Sequence, residues 1–110
     1  MSTIVSDNQL LKNVDKQVLK ATDTLISYFN ETGINLDIAS YRGIGKTIYK
    51  TNRYILEQMR DNGKSIPHVA LIKFAHQFKI DFNYFYTENA PFEISPEIIG
   101  LSSNNTQEIN

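Results

Sequence analysis

The chain has no cysteine. Without thiols it carries neither a disulfide framework nor a thiolate metal site, a composition that suits a reducing compartment. Long hydrophobic runs are lacking too, since the longest apolar stretches fall far short of the ~18 residues that span a bilayer. The opening residues, MSTIVSDNQLLKN, have no basic stretch followed by an apolar core, so nothing there reads as a secretory signal. A cytoplasmic protein with no membrane partner is the expectation. Net charge is nearly absent as well, at −1, which at first sight disfavours a polyanion as partner. At 110 residues there is room for one domain with one modest core, because domains usually run to ~100–150 residues. A multi-domain enzyme is not expected.

What is present is segregated. Arg42, Lys46, Lys50, Arg53, Arg60 and Lys64 fall in one segment against only Glu57 and Asp61, six bases against two acids, for a local net of +4. The remainder of the chain carries five bases and ten acids, a net of −5. A localised basic footprint on an otherwise acidic protein suits a polyanionic partner, with the acids elsewhere keeping the protein soluble. The bland alternative is a solvated helix that happens to be basic.

Apolar periodicity predicts helices throughout. Over residues 8–30, Leu11, Val14, Val18, Leu25 and Phe29 recur at helical spacing, as one long helix or two broken near residues 20–22. Gly33 ends this segment, being suited to the left-handed conformation that closes a helix. Ile34, Leu36 and Ile38 alternate like a strand, but no second strand exists to pair with it, so a short helix capped by Asn35 is the better reading. From Ile44 onward, Ile48, Ile55, Leu56 and Met59 lie on one side and Lys46, Lys50, Arg53, Glu57 and Arg60 on the other. This predicts an amphipathic helix with a basic outer face, stopped by Asn62-Gly63. Pro67 suits the first turn of the next helix, with Ser65 able to cap it, and Val69, Leu71, Ile72, Phe74, Ala75 and Phe78 give that helix a broad apolar face. A short aromatic helix begins near Asp81 or Phe82, and residues 91–110 read as a flexible tail rich in Ser and Asn.

The stretch YRGIGKT, Tyr41 to Thr47, raises the question of nucleotide binding. A phosphate-binding loop requires Gly-x-x-x-x-Gly-Lys-Ser/Thr between a buried strand and a helix. Gly45, Lys46 and Thr47 fit its end, but Ser40 holds the first glycine's place and no such strand is predicted. The dinucleotide pattern fails at Ile48, where its last glycine belongs.

The downstream residues NGKSIPHVALIKFAHQFKIDFNYFYTEN resemble the second half of the Cro- and phage-repressor-like (XRE-like) helix-turn-helix family. There a recognition helix ends in an Asn-Gly-Lys turn, a proline opens the next helix, and an Ile-Asp-Phe-Asn-Tyr-Phe-type turn leads into a short aromatic helix. Ala39, Gly43 and Ile44 are similar to the family's Ala-x-x-x-Gly-Ile, in which the small residue permits close helix approach and the glycine forms the turn. The resemblance covers residues 18–87. It implies that RGIGKT is the turn of the motif and that the phosphates it meets belong to DNA. Between Gly43-Ile44 and Asn62-Gly63 this chain has more residues than the family's pattern. Either GKTIYK enlarges the turn and the recognition helix starts near Thr51, or that helix is extended N-terminally.

The resemblance implies an all-α fold of about five helices, a repressor-like helix-turn-helix domain over residues 18–90 with an N-terminal helical extension at 1–17 and the tail at 91–110. Its expected function is sequence-specific binding of double-stranded DNA by a transcriptional regulator. The expected contacts are Arg42, Lys46, Lys50, Thr51, Asn52, Arg53, Tyr54, Glu57, Gln58 and Lys64. With Leu56 and Met59 facing inward, Asn52, Arg53, Tyr54, Glu57 and Gln58 come to the groove side. Arg53 leads as base reader because a guanidinium donates two hydrogen bonds to the guanine edge, and Gln58 can pair adenine similarly. Lys46, Lys50 and Lys64 suit phosphates, to which an ammonium gives affinity without sequence information. A homodimer is expected, with the N-terminal helix and YFYTENAPFEI as its candidate interface. The alternative is a protein-interaction module of the same fold, binding an antitoxin-like or phage-factor-like partner.

Other features point away from catalysis. His68 and His76 stand eight apart, too far for two ligands on successive turns of one helix, and no carboxylate set completes a metal site. Tyr84, Phe85 and Tyr86 could stack bases, although an aromatic cluster ending a small helical domain is more often core. The acids are dispersed and no nucleophile adjoins a base. No enzyme, no cofactor and no small-molecule ligand are expected.

Overall fold

The computed structural model describes residues 7–98, and these form an all-α domain. Its helices are α1 (Asp7–Thr32), α2 (Tyr41–Ile48), α3 (Ile55–Asn62), α4 (His68–Phe78) and α5 (Phe82–Tyr86), with single 3-10 turns at Leu36–Ile38 and Pro96–Ile98. None of the described helices is long and apolar enough to cross a membrane.

α1 is continuous because its inward residues, Val14, Val18, Ala21, Leu25 and Phe29, repeat every three or four positions and are all buried. Of the two readings, one long helix or two broken near residues 20–22, the first is found. Thr22 is buried there, and its hydroxyl donates to the Val18 carbonyl at 2.8 Å, so the side chain is satisfied within the helix. The expected boundary between 17 and 18 therefore falls inside α1, with Val14 and Gln17 buried alongside the rest; residues 1–6 of the expected extension lie outside the described ones. Leu11, expected in the buried stripe, stands 51% exposed.

Local chemistry sets most element ends. Gly33, at φ 81°, closes α1 with its N–H on the Phe29 carbonyl. Gly63, at φ 70°, closes α3, its N–H reaching Met59 and that of Lys64 reaching Gln58. Asp81 caps α5 by accepting the Asn83 N–H at 2.8 Å. Asn35 differs from expectation. It adopts the left-handed conformation at φ 50°, makes no side-chain cap, and is followed by one 3-10 turn instead of a helix. Ser65 does not cap α4 either; Pro67 occupies the position before its first residue, and Ser65 lies by the Asp15 carboxylate.

A chain of aromatic rings runs through the otherwise aliphatic core. Phe29, Phe78, Phe74 and Phe85 meet successively at ring-centroid distances of 6.3, 5.3 and 6.1 Å, in tilted or edge-on arrangements that suit the ring quadrupole. Tyr84 and Phe85 are buried and Tyr86 is exposed. The segment expected as a loose tail packs as far as residue 98: the Phe92 ring lies 5.3 Å from that of Tyr84, and Ile98 is fully buried in the turn that meets α4. Residues 99–110 lie outside the described ones.

A polar clasp joins α1 to this segment. The buried Gln17 amide nitrogen lies 3.0, 3.3 and 3.2 Å from the carbonyl oxygens of Tyr84, Thr87 and Ala90, and Lys20 donates to Ala90 at 2.8 Å. In return the Tyr84 hydroxyl donates to the Gln17 carbonyl at 2.7 Å, and burial pushes its phenol up to about 12.

Candidate nucleic-acid interface

The glycines of YRGIGKT are helical, not part of a turn. Tyr41–Ile48 is α2, opened by Ser40, whose hydroxyl accepts the Gly43 N–H at 2.9 Å and whose carbonyl accepts that of Ile44 at 3.0 Å. The Gly43 and Ile44 N–H groups are thus already spent within the helix start. The Thr47 hydroxyl donates to the Ile44 carbonyl and accepts from Gln77 of α4. Glycine in a helix is disfavoured by about 1 kcal/mol against alanine, so its presence twice needs a packing reason. A Cβ on Gly43 would stand 2.7 Å from Ile38 Cα, and one on Gly45 would strike the Arg53 carbonyl oxygen. Each glycine lets another backbone press onto α2.

This arrangement corrects the expected placement of the motif. Neither an enlarged GKTIYK turn nor an extended recognition helix is found, because residues 45–48 complete α2, residues 49–54 form the connection, and α3 begins at Ile55. Gly43 and Gly45 both make close backbone approaches, and Ala39 is partly buried against the core. The expected single amphipathic helix is split here. Tyr49 leaves helical geometry at φ −148°, and the Asn52 carboxamide oxygen accepts the Tyr54 N–H at 3.1 Å, offering the backbone a turn in place of a further helical bond.

The connection and the two helices bring most of the expected contacts together. Arg42 of α2 reaches Glu57 of α3 through Nε and Nη2, both at 3.3 Å, and its guanidinium lies 4.7 Å from the centre of the Tyr54 ring. Arg53 stands over the same ring at 5.2 Å and donates to its hydroxyl at 3.1 Å. Asn52 donates to the Gln58 carboxamide oxygen at 2.8 Å, so its amide serves the turn at both ends. Lys46, Lys50, Thr51 and Lys64 are exposed and make no side-chain contact of this kind among the described residues. Lys46 follows Arg42 by one turn on α2, whereas Lys64 lies apart, just past the C-terminal end of α3.

Pairing explains where the net charge goes. Glu57 neutralises Arg42, and Asp61 neutralises Arg60 through bonds of 2.7 and 2.9 Å. The hydrogen bond from Arg60 holds the Asp61 carboxyl below its ordinary value. Lys46, Lys50, Arg53 and Lys64 are then the four cations of this segment without an acid, at the two ends of α3 and along α2. The outward face of α3 itself, with two acids (Glu57, Asp61) against one base (Arg60), is net acidic rather than basic as the sequence had suggested.

Two further features have no counterpart in the sequence reading. The Tyr41 hydroxyl donates to Asp23 of α1 at 2.5 Å beneath the Arg60 guanidinium, which lies 4.5 Å from the ring centre; burial first and Asp23 second push that phenol well above its ordinary value. These residues line a polar groove of about 790 Å³ between α1, α2 and α3. A second groove, of about 540 Å³, is mostly apolar and lies between Leu11, Val14, Ile66, Leu71 and Tyr86, with Asp15 and His68 in its wall. His68 and His76 are exposed on α4, and among the described residues no three His, Asp or Glu side chains gather as a metal site. No family model, no curated protein and no solved structure matches this chain.

Proposed function

We propose that the protein is a sequence-specific double-stranded DNA-binding protein, a transcriptional regulator that places α3 in the major groove. The observation that carries this reading is the α2–connection–α3 unit, locked by Gly45 against the Arg53 carbonyl, with unpaired cations at both ends of its second helix. In helix-turn-helix proteins the N-terminal residues of the second helix meet base edges while neighbouring elements grip the backbone. Arg53, at the entrance to α3, is the base reader of this reading, with Gln58 beside it. Lys46, Lys50 and Lys64 neutralise flanking phosphates. A homodimer doubles the contacts and reads an inverted repeat, and Leu11, Val69, Ile72 and Tyr86 leave apolar surface outside the core for it.

The excess of acid over base on the outer face of α3 and the apolar groove beside Tyr86 favour a second reading, a protein-interaction module with the same fold. Salt and sequence dependence separate the two. Selection from a random duplex library is expected to enrich one motif, with Arg53→Ala relaxing a single base position and Lys50→Ala weakening all duplexes alike. No enrichment by the unaltered protein, with binding that vanishes at moderate salt, would sink the DNA reading.

A further inference from the structure

Among the described residues, Arg42 and Arg60 each pair with a carboxylate, whereas Arg53 has none within reach. An exposed arginine has several rotatable bonds to freeze before its planar fork can meet a base edge, so a side chain that orders it in advance gains selectivity. Among the described residues the Arg53 side chain meets Tyr54 twice: ring centre 5.2 Å from Cζ, and hydroxyl 3.1 Å from Nη2. Tyr54 is itself held. Asn52 accepts its backbone N–H, and Arg42, clamped by both oxygens of Glu57, lies 4.7 Å from the same ring centre. The contacts form a chain from an α3 carboxylate, through Arg42 and the ring, to the Arg53 guanidinium.

On the reading of α3 as a DNA-recognition helix, we infer that Tyr54 is a positioning residue that pre-orders the Arg53 guanidinium for one base pair, instead of contacting DNA on its own account. Only one N–H of the guanidinium is spent on the Tyr54 hydroxyl, and the remaining donors still provide a bidentate pair. The hydrogen bond and charge of Arg53 also lower the Tyr54 phenol from its ordinary value. Glu57, occupied by Arg42, presents less repulsion to the phosphates.

Two measurements on full-length protein test this. In the absence of DNA, NMR relaxation of the Arg53 Nε–H is expected to show greater mobility in Tyr54→Leu than in wild type, with Tyr54→Phe, which keeps the ring and loses the hydroxyl, in between. Unchanged mobility overturns the inference whatever the protein binds. In duplex selection, Arg53→Ala is expected to lose a preference of roughly tenfold at one base position, and Tyr54→Leu to flatten that same position while its affinity for unrelated duplexes holds within about twofold of wild type. A uniform loss at all positions, or a preference retained in Tyr54→Leu, overturns it too. Absence of any motif with wild-type protein removes the DNA reading and, with it, the assigned role of Arg53; the mobility result still reports separately on whether Tyr54 orders that side chain.

Discussion

Asp15 shows how a single side chain balances opposed effects. It is partly buried on α1 and accepts the Ile66 N–H at 2.9 Å, tying α1 to the segment between α3 and α4. Burial raises its carboxyl above the ordinary value, outweighing the lowering by the Ile66 N–H and by Ser65. The folded state therefore binds this proton more tightly than the unfolded chain does. Its contribution is fully present below the unfolded carboxyl value and is lost as pH rises through the raised folded one. Asp15→Asn keeps an acceptor without the charge, so it is expected to remove this slope and to be at least as stable as wild type at pH 7. Asp15→Ala removes the acceptor and is expected to cost about 1–3 kcal/mol. Thermal melts of the three proteins from pH 4 to 7 decide it; equal losses in both variants at pH 7 would mean that the ionised form is the stabilising one.

Between elements, Gly45 governs how α2 meets α3. Helix propensity alone makes Gly45→Ala favourable by about 1 kcal/mol. The added methyl, however, strikes the Arg53 carbonyl oxygen, which is backbone and cannot rotate away. Overpacking typically costs about 1–3 kcal/mol, so net destabilisation in urea is expected. A variant as stable as wild type would show that the connection gives way freely. This close approach was hard to read from sequence, and so was the division of α2 from α3. Ile48 and Ile55 are seven apart, two helical turns, so the apolar period runs through the connection as though the helix continued. By contrast, the ends at Gly33, Gly63 and Asp81 were legible because each rests on the chemistry of one residue and its neighbours. The same distinction holds at the candidate interface. Its residue types were legible, but the Arg42–Glu57 pair joins residues fifteen positions apart and depends on how the helices pack.

For the whole molecule, the aromatic chain from Phe29 to Phe85 holds the largest of the fully buried side chains. Phe74 is fully buried and lies against both Phe78 and Phe85. Phe74→Ala is expected to cost about 3–5 kcal/mol, a large share of the ~5–15 kcal/mol that stabilises a typical domain. Tyr86→Ala, at an exposed position of the same cluster in sequence, is expected to stay within about 0.5 kcal/mol. Chemical denaturation of both variants measures the contrast, and similar losses would move the centre of stability to the groove beside Tyr86. The Gln17 clasp has a different consequence, for the order of events during synthesis. Its partners lie 67 to 73 residues further along the chain. On a ribosome, α1 emerges first and must wait, its inward face uncovered, until α5 and the segment behind it have followed. Closure of the clasp is thus a late event, and until then the nascent domain is open to chaperones and proteases along the whole inner side of its longest helix.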